Sequence, residues 1–504
     1  MSALHNMLIT AYNEYKEASI EIIDSDACST KLLLCNARGK NNHFMYTCKH
    51  YPRIAEHILL SKHCSKKLVM QCNDNKENVL MYTYQYNEKL FKLIMESPYC
   101  TKQMLEHCDE DGKNILMLAC EYNPSIAEYI LLSKHCSKKV LFQQSKIRKL
   151  NCLMLAHLSP NIVQQILLSK HCCQKLLMQT NNRGTTCLMK FCENDNGVVK
   201  MVLESQHCSK QLVQQYSINN NTNCALLACQ YSYNSAKLIL ESPYCDTTLL
   251  EYCDEDNFNS IMLACYYNLK VAPLILESSH CSEKMLLQCN KDGCNSLMLA
   301  CYHDISMVPH ILESPFCTLA VLSQLSKSGF NGLMKICQWC PEHIQALLNC
   351  KSYDSSLLNC KTTKANMNKI PVRLSRNQIV SNYSCLHILA IYHPASIKEY
   401  SLLFPSLIDE EDSNGNKFYS YLLPEYENVL QEFFDKDSVE YRKYIKQSKV
   451  HGITDTICGI CLQNEYTHVF TCGHCTCGPC SKRINECHLC KKTITHKIKI
   501  YLWK

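Results

Sequence analysis

The sequence predicts a mainly α fold, a solenoid of stacked helical hairpins, followed by a small, cysteine-rich α+β domain. Three observations predict it. Cys28, Cys64, Cys100, Cys136, Cys172 and Cys208 are each 36 residues apart, and after one extra residue Cys245, Cys281 and Cys317 resume the same step. Blocks of text recur with that period: LLSKHCSKK, LESPYCDTT and LESSHCSEK around the cysteine, and NILMLACEYN, NCALLACQYS, NSIMLACYYN and NSLMLACYHD about 16 residues earlier. The final segment then breaks the rhythm and packs 8 of the chain's 38 cysteines into positions 458 to 490. A fixed internal period marks a repeat architecture, because no single unit can bury its apolar face alone.

Within a unit, the first helix runs through the I/L-L/M-x-L-A-C text. An asparagine precedes it at 42, 78, 114, 223, 259, 295 and 331, where its side chain can cap the free N–H groups of the first turn. The second helix carries apolar residues at helical spacing, as in Ile126, Tyr129, Ile130 and Leu131. An S-x-x-C corner and a short apolar turn such as KKVLFQ follow, and a polar tip such as CDEDGKN leads onward. Ten such units fill residues 1–360. Residues 361–381 carry five basic residues and no acid and read as an exposed insertion; a solvated loop is favoured over a targeting or phosphate-contacting segment. Residues 382–437 hold degenerate and capping units, 438–455 a linker, and 456–504 the terminal domain.

The unit resembles the ankyrin repeat in its DEDGKN tip, its polar-capped first helix and its second helix ending in LL. It departs from that family in three ways. Asn-x-Leu-Met replaces Thr-Pro-Leu-His, the unit has 36 residues rather than about 33, and the glycine closing the second helix is missing. It is similar to the divergent ankyrin type of large DNA viruses of amoebae. The resemblance implies a surface that binds a target protein.

The net charge of +6 is too small and too dispersed to argue for a nucleic-acid partner. The opening MSALHNMLITAYNEYKEASIEII has no basic n-region or apolar h-region, and no run of about 18 apolar residues occurs, so neither a signal peptide nor a membrane span is expected. The expected location is the cytoplasm or nucleus, of a host cell if the chain is viral, and not outside the cell. Thiols stay reduced there. The 30 cysteines before position 455 read as small apolar side chains, one per unit at the corner and one in each LAC, too far apart along the ladder for disulfides. The histidines beside the ladder, His63, His135, His171, His207 and His280, are expected at partly exposed corners.

From 458 the spacing is C-x2-C-x10-C-x-H-x2-C-x2-C-x6-C-x2-C. A segment this short builds too little core to fold unaided, and tetrahedral Zn2+ with sulfur and imidazole ligands supplies the staple. No C2H2 layout or following basic helix supports a nucleic-acid-binding zinc module. No Walker loop, hydrolase elbow or HExxH occurs either.

This spacing resembles a RING finger. Carried over by position, the resemblance implies two interleaved Zn2+ sites: Cys458, Cys461, Cys477 and Cys480 in one, Cys472, His474, Cys487 and Cys490 in the other. Cys475, His468, His488 and His496 are left out as ligands. The family recruits a ubiquitin-conjugating enzyme carrying ubiquitin and holds the thioester in a reactive pose, with no covalent residue of its own. Docking then falls to Ile460, Ile484 and Leu489. Two departures bear on activity: His488 replaces the usual Pro, and Lys491 stands where an Arg bridges enzyme and ubiquitin, keeping the charge without the bidentate fork. The tail KKTITHKIKIYLWK resembles the inhibitor-of-apoptosis RING type, whose tail dimerises and whose aromatic residue, here Tyr501, contacts ubiquitin. The alternative for the tail is a strand packed on its own domain. The expected function is a RING-type ubiquitin ligase whose repeat array binds a target. The alternative is a non-catalytic adaptor with a structural or dimerising RING.

Overall fold

In the computed structural model the described residues are 2–38, 41–194, 197–268, 270–363, 381–422, 468–470, 475–476, 482 and 497–499. They are mainly helical, in two compact bodies, Met1–Lys291 and Asp292–Lys504. The same local pattern builds both.

One unit shows the pattern. Asn114 caps the helix Ile115–Tyr122, Pro124 opens the helix Pro124–Leu132, and a corner leads to a third helix, Lys138–Phe142. The short apolar turn expected at KKVLFQ is therefore a helix. At the corner the Cys136 N–H donates to the Ser133 carbonyl at 3.1 Å, and the next residue, Ser137, accepts from the Val140 N–H as the third helix's cap. The same corner bond recurs at Cys64, Cys100, Cys172, Cys208, Cys245, Cys281 and Cys317. In the second helix Ile126, Ala127 and Ile130 are buried, whereas Leu132 is 76% exposed because its last turn runs past the core.

Every expected asparagine cap is made, and each amide does more than cap. Asn114 Oδ1 accepts from the Met117 N–H at 3.0 Å, while its Nδ2 donates to the Val140 carbonyl at 2.8 Å, 26 residues away. Asn42, Asn78, Asn223, Asn259, Asn295 and Asn331 repeat both bonds. The position is also filled by Asn151, by Thr186, which caps alone, and by Ser384, whose helix is closed by His387 in a capping box.

Stacking follows from these units. In the first body, the first helices His43–His50, Val79–Tyr86, Ile115–Tyr122, Cys152–Leu155, Cys187–Cys192, Cys224–Tyr231 and Ser260–Tyr267 each pack on the next. In the second body, Ser296–His303, Gly332–Trp339 and Cys385–Tyr392 do the same. The core is Leu, Ile, Met, Ala and Cys from these faces. Successive tips hydrogen-bond along the backbone, for example Glu110 N–H to the Asn75 carbonyl at 3.0 Å and Lys327 N–H to the Asp292 carbonyl at 2.9 Å.

The interior of the basic stretch, residues 364–380, lies outside the described residues, but its two ends meet. Asn382 N–H donates to the Thr362 carbonyl at 2.9 Å, and Thr362 N–H to the Tyr383 carbonyl at 3.3 Å. Lys361, the first of the five basic residues, pairs with Glu410 at 2.5 Å. On either side the tip-to-tip bonds continue, Thr363 N–H to Ser328 and Ser413 N–H to Ser381.

Candidate metal centre and the repeat cysteines

All eight expected ligands, Cys458, Cys461, Cys472, His474, Cys477, Cys480, Cys487 and Cys490, lie outside the described residues, as do Ile460, Ile484, Leu489, Lys491 and Tyr501. What is described is the backbone frame between them. His468–Phe470 pairs antiparallel with Cys475–Thr476 in the register His468 to Thr476 and Val469 to Cys475. Lys497–Lys499 pairs antiparallel on the other edge of His468–Phe470, with Ile498 opposite Val469. The start of the tail is thus a strand added to its own chain, the arrangement set beside dimerisation in reading the sequence.

The hairpin lies inside the segment that carries the expected donors. An antiparallel hairpin has two ends. The chain enters at 468 and leaves at 476 at one end, and residues 471–474 connect the strands at the other. Cys458 and Cys461 precede the entry, and Cys477 and Cys480 follow the exit. Cys472 and His474 belong to the connection. Six of the expected donor positions thus precede, interrupt or follow the hairpin in sequence, while Cys487 and Cys490 come later in the chain. Cys475 stands within a strand, opposite Val469, rather than in the connection. Zn2+ bound by such donors would supply tetrahedral cross-links.

The repeat cysteines are different. None of the 30 is in a disulfide, and each is buried or half-buried. Cys120, Cys229, Cys265 and Cys301 of the LAC texts are at most 3% exposed. Burial pushes the Cys187 and Cys229 thiols up to about 12 and the ladder thiols of Cys64, Cys100, Cys136 and Cys281 up to about 11. A protonated thiol is neither a good nucleophile nor a metal ligand. Among the described residues no three His, Cys, Asp or Glu side chains gather as a metal site. The corner histidines His63, His135, His171, His207 and His280 are half-buried. In the second body some cysteines come closer than the ladder spacing implies: Cys317 of the ladder hydrogen-bonds Cys350, and off the ladder Cys301 meets Cys340 and Cys337 meets Cys385.

Two further features escaped the sequence reading. Buried His43 links His5 Nδ1 at 2.9 Å and the Tyr12 hydroxyl at 3.0 Å, and burial, then the neighbouring His5, lowers its pKa to about 3. The tip SKIRKL also places Lys146, Arg148 and Lys149 in solvent. Its signal was visible in the text, since the equivalent tip in the preceding unit reads DEDGKN.

No family model matches the chain. Short stretches resemble known proteins. The E3 ubiquitin-protein ligase RGLG4 of Arabidopsis thaliana is 46% identical over 44 residues, 9% of this chain and 11% of that protein. The E3 ubiquitin-protein ligase RGLG3 of the same plant is 39% identical over 56 residues, 11% of this chain and 15% of that protein. An uncharacterized RING finger protein, 332L, of Invertebrate iridescent virus 6 is 47% identical over 49 residues, 9% of this chain and 21% of that protein. The chain therefore shares with these relatives a short segment similar to RING finger proteins and covers only a small part of their length.

Proposed function

We propose that the chain is a RING-type ubiquitin ligase whose ankyrin-like array, residues 1–360 with capping units to 437, captures a target protein. The observation that carries this reading is the donor spacing from 458 to 490, and the antiparallel hairpin at 468–476 inside that segment supports it. The similarity to plant E3 ubiquitin-protein ligases and a viral RING finger protein supports it. The stacked first helices and hydrogen-bonded tips support the ankyrin-like array. Cys458, Cys461, Cys477 and Cys480 would hold one Zn2+, and Cys472, His474, Cys487 and Cys490 the other. Ile460, Ile484 and Leu489 form the conjugating-enzyme surface, and Lys491 and Tyr501 face ubiquitin. Catalysis is positioning, not covalent chemistry. Among the described residues no helix is long and apolar enough to cross a membrane; the proposed site of action is the cytoplasm or nucleus.

The test is autoubiquitination by the full chain with ubiquitin, activating enzyme, ATP and a panel of conjugating enzymes. A ubiquitin ladder is expected with at least one conjugating enzyme. It should vanish in Ile460→Ala with zinc retained, persist in Cys475→Ser, and strengthen in Lys491→Arg. A zinc-loaded chain that forms no ladder with any enzyme would favour the adaptor reading, to which His488 and Lys491 give some weight.

A further inference from the structure

The body Met1–Lys291 carries an exposed patch on three consecutive tips, with cations on the first two. Lys146, Arg148 and Lys149 stand on one tip and Arg183 on the next, all exposed. Beside them are Ile147, 75% exposed, and Ile218 on the third tip, 80% exposed. The backbone fixes their proximity. Lys146 N–H donates to the Asp111 carbonyl at 2.8 Å and Asn182 N–H to the Arg148 carbonyl at 3.0 Å. Asn219 Nδ2 donates to the Asn182 carbonyl at 3.0 Å, and Ser217 Oγ to the Arg183 carbonyl. Lys146 Nζ reaches a backbone carbonyl, that of Glu110, at 2.6 Å. Among the described residues none of the four cations has a carboxylate partner, whereas Lys113, Lys210 and Lys284 of the same body are paired.

Acidic tips bound the patch. Asp109, Glu110 and Asp111 form the tip before it, and Asp254, Glu255 and Asp256 the tip after it. A long polyanion laid along the tips would meet repulsion at both ends. A short anionic segment would not, and the two isoleucines give it apolar anchors that a phosphodiester backbone does not need. We infer that Lys146, Arg148, Lys149 and Arg183, with Ile147 and Ile218, form a docking surface for a short acidic peptide segment that also carries aliphatic side chains. This rests on the reading that the array captures the target, and it names the chemistry of that target.

The probe is a short fluorescein-labelled peptide with Leu at every third position and Asp or Glu elsewhere, titrated with the full chain by fluorescence anisotropy. Binding should weaken by about tenfold in the double variant Arg148→Glu/Arg183→Glu and further with added salt. Ile147→Ser/Ile218→Ser should weaken it severalfold, and Lys62→Glu, an exposed lysine at a distant corner, should leave it unchanged. All these side chains are exposed, and circular dichroism checks that each variant stays folded. The inference is overturned if the peptide binds the wild type no better than it binds the double charge reversal. It is also overturned if a leucine-free acidic peptide or a single-stranded oligonucleotide binds as well. Autoubiquitination separates it from the ligase reading: docking with no ubiquitin ladder overturns the ligase, and a ladder with no docking overturns the surface.

Discussion

Asn259 ties together three hydrogen-bonding groups from two helical segments. Its Oδ1 accepts from the Met262 N–H at 3.0 Å, and its Nδ2 donates to the Met285 carbonyl at 2.8 Å and to Gln288 Oε1 at 2.6 Å. Gln288 in turn donates to the Glu251 carbonyl at 2.8 Å, in the preceding unit. The residue is fully buried, so removing the amide leaves partners that water cannot reach. Asn259→Ala should cost about 2–4 kcal/mol, the sum of a lost cap and orphaned groups. Asn259→Thr, which copies Thr186, should recover about 1 kcal/mol by restoring the cap alone. Urea unfolding followed at 222 nm measures both; a Thr variant as stable as the wild type would mean that the Nδ2 bonds contribute nothing. His43 adds a pH dependence. Its ring nitrogens meet His5 and the Tyr12 hydroxyl, and its folded pKa of about 3 lies below the ordinary histidine value. A depressed pKa gives stability that is present above about pH 6.5 and lost as pH falls toward 3, because the unfolded chain binds the proton first. The loss approaches about 1.4 kcal/mol per pH unit. Between pH 7 and pH 5 the wild type should lose about 2 kcal/mol that His43→Phe does not lose. Parallel pH profiles for the two chains would refute this assignment.

Elements show which features of the sequence act locally. The asparagine caps and the LAC face were legible because a cap and an amphipathic stripe are each written within one helix. The third helix was not, since Lys138–Phe142 is too short to display a period. Nor was the second partner of each capping asparagine, which lies about 26 residues away and is fixed only when the helices pack. His43 occupies a position that is apolar in most other units, so its text gave no sign of a buried polar relay. Cys350 stands where the other units carry the corner serine, and only packing reveals that its thiol meets Cys317. At the terminal segment the donor spacing was legible while the register of the tail strand was not, because its pairing joins residues about 30 positions apart. Burial of the first-helix thiols leads to a chemical prediction. In native protein at pH 7.5, Cys120, Cys229, Cys265 and Cys301 should resist iodoacetamide, since each is buried away from the reagent. Mass spectrometry of the peptides should show labelling there only after unfolding in guanidinium. Rapid native labelling of these four would mean that the first helices open far more readily than their packing implies.

The molecule combines two ways of making a fold. The helical units need no cross-links: apolar faces, capping amides and tip-to-tip bonds are repeated until a continuous core forms in each body. Their cysteines serve as small apolar side chains, and burial keeps the ladder thiols protonated. The segment from 456 onward has few residues for a core of its own and places one-sixth of its residues as cysteine; it depends on the proposed Zn2+ for its fold. The two parts should therefore respond separately to metal removal. The purified chain is expected to contain about two zinc equivalents by elemental analysis, one for each set of four donors. Treatment with 1,10-phenanthroline should remove both. The helical signal at 222 nm should barely change, because the described helices hold no group of three metal-binding side chains. Trypsin should then cut first within 456–504, at Lys482, Arg483, Lys491 or Lys492. Substituting Cys475→Ser should leave the zinc content at two, whereas Cys472→Ser should lower it, since only the second position is a donor in the proposed sets. A metal content near four, or collapse of the helical signal on chelation, would place zinc among the repeat cysteines and overturn this division of labour.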